Sequence, residues 1–409
     1  MTTESESSDG TSGTMECAVC RTDVPAGEYC GLCGDHLTEH RDKGAKWLRV
    51  RAYSASPGEH LLRPNIVSTL FPHLAPSSRL PFLTGLGLIF AALIATTMLR
   101  LPAALITVAA LGLPLLFLIY LQESDVYRDV PTSTLVVTAG LGIGLGVGWV
   151  LLTGAMVAQA YDVGLGMGIA GSRILRDGLG VPIGGLLLML VPALLVRLVR
   201  PGPRESLDGF AIGALGALMF TAAAQMTRLA PQFAGGMVAR ARPMDGLFVE
   251  AGIRGIAVPL TAAAVGGLIG TALWFTLPTS KKDHHRNYVR ITLALFALAV
   301  MTMYAGLGLV DVARFPQSLQ LVLHLVVTVA AVFALRVGLH LALLHEAHDE
   351  ILSDEPLLCP HCGHVVPDMA FCVACGAATR ASSRSSRQAR RDTRPVRTDA
   401  GPAPAEEPQ

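Results

Sequence analysis

The sequence predicts an all-α polytopic membrane protein of about eight transmembrane helices, with a small cysteine module near each end. Three observations predict it. Residues 82–344 are a series of long apolar segments separated by short charged loops, and about 20 consecutive apolar residues cross a bilayer's hydrocarbon core. No Lys or Arg occurs between Arg128 and Arg173, an interval in which a soluble domain would present a charged face. All eight cysteines fall into C-x-x-C pairs, two pairs on each side of the apolar block.

Residues 1–14 are rich in Ser, Thr and Glu, too polar to bury a core, and read as a disordered tail. With no apolar core they are not a signal peptide, so the first cysteine module is expected in the cytosol. That compartment favours metal over disulfide.

Residues 15–38 hold Cys17-Ala-Val-Cys20 and Cys30-Gly-Leu-Cys33-Gly34, with nine residues between the pairs. Two such pairs supply the four thiolates of a tetrahedral zinc site, the pattern of a zinc ribbon. Gly34 suits the tight turn after a pair, because glycine accepts positive φ. Arg21 holds the same position after the first pair and suits it less. The redox-dithiol alternative needs a βαβ context that is missing here. His36 is a fifth candidate ligand, with a plain surface residue as the preferred reading.

Residues 39–81 form a basic juxtamembrane linker with Lys43, Lys46, Arg49, Arg51, Arg63 and Arg79 around Trp47 and Leu48. It suits either the anionic cytoplasmic leaflet or plain solvation. Its prolines forbid one long helix.

The expected spans are roughly 82–99, 102–121, 133–158, 180–199, 209–227, 255–277, 291–310 and 318–340. The basic N-terminal flank, Arg200 with Arg204, and Lys281 with Lys282 and Arg286 all fall on one side if both termini are cytosolic. Loop 228–254, with Arg228, Arg240, Arg242 and Arg254, argues the other way unless part of it is re-entrant or interfacial. Gly140, Gly142, Gly144, Gly146 and Gly148 alternate in the third span, and tight helix packing is the expected reason, with a cavity-lining helix as the alternative.

After the last span, residues 345–356 read as a helical extension in which His345 and His348 share a face. Polar residues are expected at a membrane exit, so a metal site there is the lesser reading. Residues 357–378 repeat the first module as Cys359-Pro-His-Cys362-Gly363 and Cys372-Val-Ala-Cys375-Gly376. Two structural zinc ions are therefore expected, one per quartet. Residues 379–409, with seven Arg between 380 and 397, read as a disordered tail suited to lipid headgroups or an acidic partner.

The membrane block resembles the PrsW family of intramembrane metalloproteases at three places. Asp125-Val-Tyr127-Arg-Asp-Val-Pro131 is similar to the family's D-x-Y-x-x-E-P segment, with Val130 in place of Glu. Leu207-Asp208-Gly209 followed by Gly213 to Phe220 resembles its D-G, Gly-rich, Phe helix, and Pro259-Leu260 through Leu268-Ile269-Gly270 a later one. The resemblance implies a Glu pair at Gly185 and Leu186, a Glu at Ala224 and a His at Ala262, none of which this chain has. A zinc hydrolase needs about three ligands and a base, so the resemblance points to a scaffold without the family's site. Gln225 is expected to make a helix–helix hydrogen bond.

Three functions follow as expectations. The first is a non-catalytic membrane scaffold, a PrsW-like pseudoprotease, whose cytosolic zinc ribbons contact a cytosolic or membrane protein. The second is an active protease with ligands from Asp162, Glu250, His324 or His340. The third is a transporter or channel. The near-zero net charge of +1 gives no reason to expect nucleic acid. The expected location is the cytoplasmic membrane, with the bilayer as first partner.

Overall fold

The computed structural model describes residues 13–18, 21–32, 34–37, 69, 71, 79–124, 126–161, 176–199, 205–234, 243–276, 286–313, 315–346, 356–359, 362–376, 379 and 384–392. The chain forms two units, Met1–Arg63 with Asp349–Gln409, and Pro64–His348.

The first unit joins the two ends of the chain. Strands β1 (Thr14–Glu16) and β2 (Asp23–Pro25) form one antiparallel hairpin, and β3 (Pro356–Leu358) and β4 (Val365–Pro367) form another. The registers correspond, with Met15 opposite Val24 in the first and Leu357 opposite Val366 in the second. Such three-residue strands do not stand alone. Each hairpin packs on cysteines, Val24 with Cys17 and Cys30, and Val366 with Cys359 and Cys372.

The two modules also pair with each other. The Tyr29 N–H donates to the Val373 carbonyl at 3.0 Å, and the Phe371 N–H donates to the Gly31 carbonyl at 2.9 Å. Tyr29 and Phe371 hold the same place in their modules, one residue before the second cysteine pair, and Gly31 and Val373 each follow the first cysteine of that pair. The two bonds are thus related by a pseudo-twofold axis. The rings obey the same relation. A Cβ on Gly34 would lie 2.7 Å from the Phe371 ring, and one on Gly376 would lie 2.7 Å from the Tyr29 ring. Both glycines have positive φ, 73° and 68°.

Part of the C-terminal tail read as disordered is helical, over Arg384–Asp392. Arg, Gln and Ala are good helix formers, and the helix lies against β3. Composition alone hid that docking.

Among the described residues, the second unit carries eight helices long and apolar enough to cross a membrane. They are α1 (Arg79–Met98), α2 (Pro102–Glu123), α3 (Thr132–Tyr161), α4 (Asp177–Val199), α5 (Ser206–Ala234), α6 (Met244–Trp274), α7 (Arg286–Val312) and α8 (Gln317–His345). The turn between α1 and α2 closes at Arg100, whose φ of 53° lets Leu101 N–H reach the Thr96 carbonyl. Of the basic linker, Thr69 and Phe71 are described. Phe71 packs between Phe82 and Tyr120, and Thr69 accepts a hydrogen bond from Arg336. The other linker residues before Arg79 lie outside the described residues.

Helix α5 is the best enclosed of the eight. Its partner is α6, and glycines explain how close they come. Gly209 and Gly213 on α5 face Gly270 and Gly266 on α6, so near that an added Cβ at any of the four would strike the opposing backbone. Two small-xxx-small steps meet back to back, the usual device for close packing where lipid supplies no hydrophobic drive. The alternating glycines of α3 divide in two. Gly142 and Gly146 lie against the α5 backbone at Gly216 and Phe220, while Gly140, Gly144 and Gly148 meet nothing within 4 Å. Packing therefore accounts for two of the five.

Two boundaries differ from the sequence reading. Helix α6 begins at Met244, not near 255, and α5 runs to Ala234. Much of loop 228–254 is therefore helix, with a π turn over Ile253–Ala257. The polar run Arg228 to Arg254 broke the apolar pattern without breaking the helices. At the other end, α8 stops at His345 and Glu346 is extended, and the rest of the predicted helical extension up to residue 355, including His348, is not among the described residues.

Candidate functional site

Two sites stand out, one in each unit. The first is the C-terminal cysteine quartet. One ligand atom from each of Cys359, Cys362, Cys372 and Cys375 lies within 4.8 Å of all the others. The Cys359 and Cys375 sulfurs are 3.9 Å apart, as are those of Cys362 and Cys372. Four sulfurs each about 2.3 Å from one tetrahedral ion would stand about 3.8 Å apart, so the quartet has the dimensions of a site that can hold a metal ion. The N–H groups of Gly363 and Gly376 turn back to the Cys359 and Cys372 carbonyls at 2.8 Å, with positive φ at both glycines. Contact with the Cys359 sulfur, and then burial, push the Cys372 thiol well above its ordinary range. Thiols crowded this way ionise readily only around a cation.

In the N-terminal module Cys17 and Cys30 are buried and share a cluster with Val24. Cys20 and Cys33 lie outside the described residues. The knuckle at Arg21 repeats that of Gly363, with its N–H on the Cys17 carbonyl at 2.8 Å and φ at 53°. A residue with a Cβ thus holds the left-handed turn that glycine holds at its three counterparts. His36 lies edge-on to Tyr29, with ring centroids 4.9 Å apart.

The second site is a cavity of about 690 Å³ inside the helical unit. It sits at the end of the bundle where α3, α5 and α7 finish and α4, α6 and α8 begin, opposite the end where α1 begins. Its deep part is small and apolar, with Trp149, Phe220, Gly185 and Ala224. Its mouth is polar. Arg228 comes from α5, Glu250 and Arg254 from α6, Asp311 from α7, and Gln320 and His324 from α8. Arg254 reaches Glu250 at 3.5 Å, and His324 Nε2 lies 3.3 Å from Asp311 Oδ1. Gln225 does make the expected interhelical bond, from its amide nitrogen to the Arg254 carbonyl at 3.2 Å. Charged side chains at membrane depth are costly and collect around polar cavities, which explains why Arg228 and Arg254 belong here and not to a loop.

Two of the positions singled out by the PrsW resemblance, Gly185 and Ala224, line this cavity. Leu186 and Ala262 are instead fully packed, at 3% and 0% exposure. The Trp149 ring covers Gly184 and Gly185, and a Cβ on Gly185 would lie 3.0 Å from its indole nitrogen. Glu250 and His324, offered by the sequence as alternative ligands, are both at the cavity. His340 is buried but is not among the lining residues, and Asp162 lies outside the described residues. Among the described residues, the C-terminal quartet is the one group of three or more His, Cys, Asp or Glu placed to share an ion.

Sequence reasoning missed the Asp311–His324 contact. A signal was present, since His324 sits seven residues inside the apolar run of α8, and a polar residue there marks function. It also missed Glu346. This carboxylate accepts from the Ser206 N–H at 2.8 Å and from its hydroxyl at 3.1 Å, binding the end of α8 to the start of α5. Burial pushes its carboxyl up to about 8, against the lowering effect of the Ser206 N–H. Asp208 lies in the first turn of α5, as expected for a carboxylate at a positive helix end.

Set against family models, curated proteins and solved structures, the chain has no match.

Proposed function

We propose that the protein is a non-catalytic integral membrane protein, a PrsW-like scaffold whose paired zinc ribbons form one cytosolic module for protein contacts. The observation that carries this reading is the pairing of the two cysteine modules through matching backbone bonds. Modules at opposite ends of a chain meet only if both ends leave the bilayer on the same side. An even number of crossings provides that, and eight helices are long and apolar enough. Basic connections at Arg200 with Arg204 and at Lys281 with Lys282 then favour the cytosol for that side. Zinc is the expected ion for four thiolates at these distances, with a second zinc at Cys17, Cys20, Cys30 and Cys33. Small residues, with Trp149 over Gly185, occupy the cavity where the family resemblance would call for carboxylates. That supports the non-catalytic reading.

Metal analysis of the purified protein tests it. Two zinc ions per chain are expected, falling to one in the Cys362→Ser, Cys375→Ser double variant while the helices stay inserted. A third zinc ion, retained in a variant lacking all eight cysteines, would replace this reading with the protease one. Reporter fusions at residues 203 and 283 should report the cytosol.

The cavity favours a second reading, in which the helical unit binds or moves a small polar solute. Its volume falls in the range of small-molecule sites. Solute-dependent flux in liposomes, lost on filling the cavity with Ala224→Phe, would support it.

A further inference from the structure

We infer that Asp311 and His324 together form a proton-binding site in the wall of the cavity, supplied with protons from one face of the membrane only. The argument is one of hydrogen-bond chemistry. His324 Nδ1 lies 2.9 Å from the carbonyl oxygen of Gln320. A carbonyl oxygen only accepts, so Nδ1 carries a hydrogen. The other ring nitrogen, Nε2, lies 3.3 Å from Asp311 Oδ1. A neutral imidazole protonated at Nδ1 has a lone pair at Nε2, and an ionised carboxylate offers only lone pairs. Those two would repel at this distance. The contact is attractive only if one more proton lies between them, as imidazolium with carboxylate or as imidazole with carboxylic acid. Both forms have the same proton count and no net charge.

The surroundings support the same count. The charged and titratable groups that line the cavity from every element around the pair are Asp177 on α4, Arg228 on α5, Glu250 and Arg254 on α6, and Tyr304 on α7. With Tyr304 neutral, two arginines balance two carboxylates. The described lining is therefore neutral when the pair holds its proton and carries one net negative charge when it does not. A net charge beside His324, which is 1% exposed, is costly.

Access is one-sided. The His324 side chain is 1% exposed and that of Asp311 is 59% exposed. The proton therefore exchanges with cavity water through Asp311, at the end of the bundle opposite the start of α1. The pair also bridges the end of α7 and the first turns of α8. Losing the proton sets lone pair against lone pair across that bridge, which gives the cavity mouth a response to the pH of one face. This inference does not depend on the role proposed for the ribbons.

The test is nitrogen-15 NMR of the full chain in lipid nanodiscs with labelled histidine, the His324 signals being identified by their loss in His324→Gln. Infrared spectroscopy reads the carboxylic acid. At neutral pH the expected result is one of two. Either both His324 ring nitrogens are protonated, or only Nδ1 is and Asp311→Asn removes a protonated-carboxyl band. In Asp311→Asn the amide donates to Nε2, so His324 should keep one ring proton, at Nδ1. If His324→Gln fails to fold, the change of one histidine in Asp311→Asn makes the same assignment. A wild-type His324 with a single ring proton and no carboxyl band sensitive to Asp311→Asn would overturn the inference, as would a doubly protonated wild-type His324 that stays doubly protonated in that variant.

Discussion

Replacing Phe371 with Ala should loosen the opposite module, far away in sequence. Phe371 is 1% exposed, and its ring lies against Gly34 of the N-terminal module. A buried Phe→Ala change costs about 3–5 kcal/mol. The ring touches both its own module and its partner, so roughly half, about 2 kcal/mol, should fall on the contact between them. That is roughly a 30-fold increase in the open fraction. Hydrogen exchange of the Tyr29 amide reports it directly, because that N–H donates to Val373 across the contact. Exchange at Tyr29 should accelerate by about that factor. Tyr29→Ala should act in reverse on the Phe371 amide. If Phe371→Ala accelerates exchange only within residues 356–379 and leaves Tyr29 unchanged, the modules are independent and the pairing argument fails.

Three further outcomes follow from the same geometry. Arg21→Gly should stabilise the N-terminal module by roughly 0.5–1 kcal/mol, because Arg21 holds a left-handed turn at φ 53° that costs an L-residue about 1–2 kcal/mol; a lower resistance to chelator or protease in the variant would show that the Arg side chain contributes more than its strain. Gly266→Ala should lower the unfolding temperature in detergent, since its Cβ would meet Ala217 at 2.6 Å and the Gly213 carbonyl, whereas Gly144→Ala, with nothing within 4 Å, should not; equal effects would refute the close α5–α6 contact. Glu346 has a folded-state value raised from 4.5 to about 8, so the folded state holds its proton more tightly. Its contribution is most favourable below about pH 4.5 and declines by about 1.4 kcal/mol per unit until about pH 8. Glu346→Gln should flatten that decline in unfolding temperature between pH 5 and 8, and an unchanged slope would assign it to other groups.

Much of the fold was legible in the chain because its signals are local. Long apolar runs announce spans whatever surrounds them, and the eight helices lie close to where hydropathy puts them. Cysteine spacing likewise announces a quartet, and Cys359, Cys362, Cys372 and Cys375 meet as their spacing requires. Even the poor fit of Arg21 was readable, since backbone sterics depend on one residue at a time. What the chain did not reveal rests on distances between elements. Arg228 and Arg254 look like loop residues until α5 and α6 are extended by several turns and turned toward a shared cavity. Gly142 and Gly144 are indistinguishable in sequence, yet helix rotation sets one against the α5 backbone and leaves the other clear. Asp311 and His324 belong to different helices, and only their approach to 3.3 Å makes them one site. The pairing of Tyr29 with Val373 joins opposite ends of the chain. Composition and periodicity determine which faces must be covered. Which partner covers each, and which polar groups are brought together as a result, is decided by packing in three dimensions.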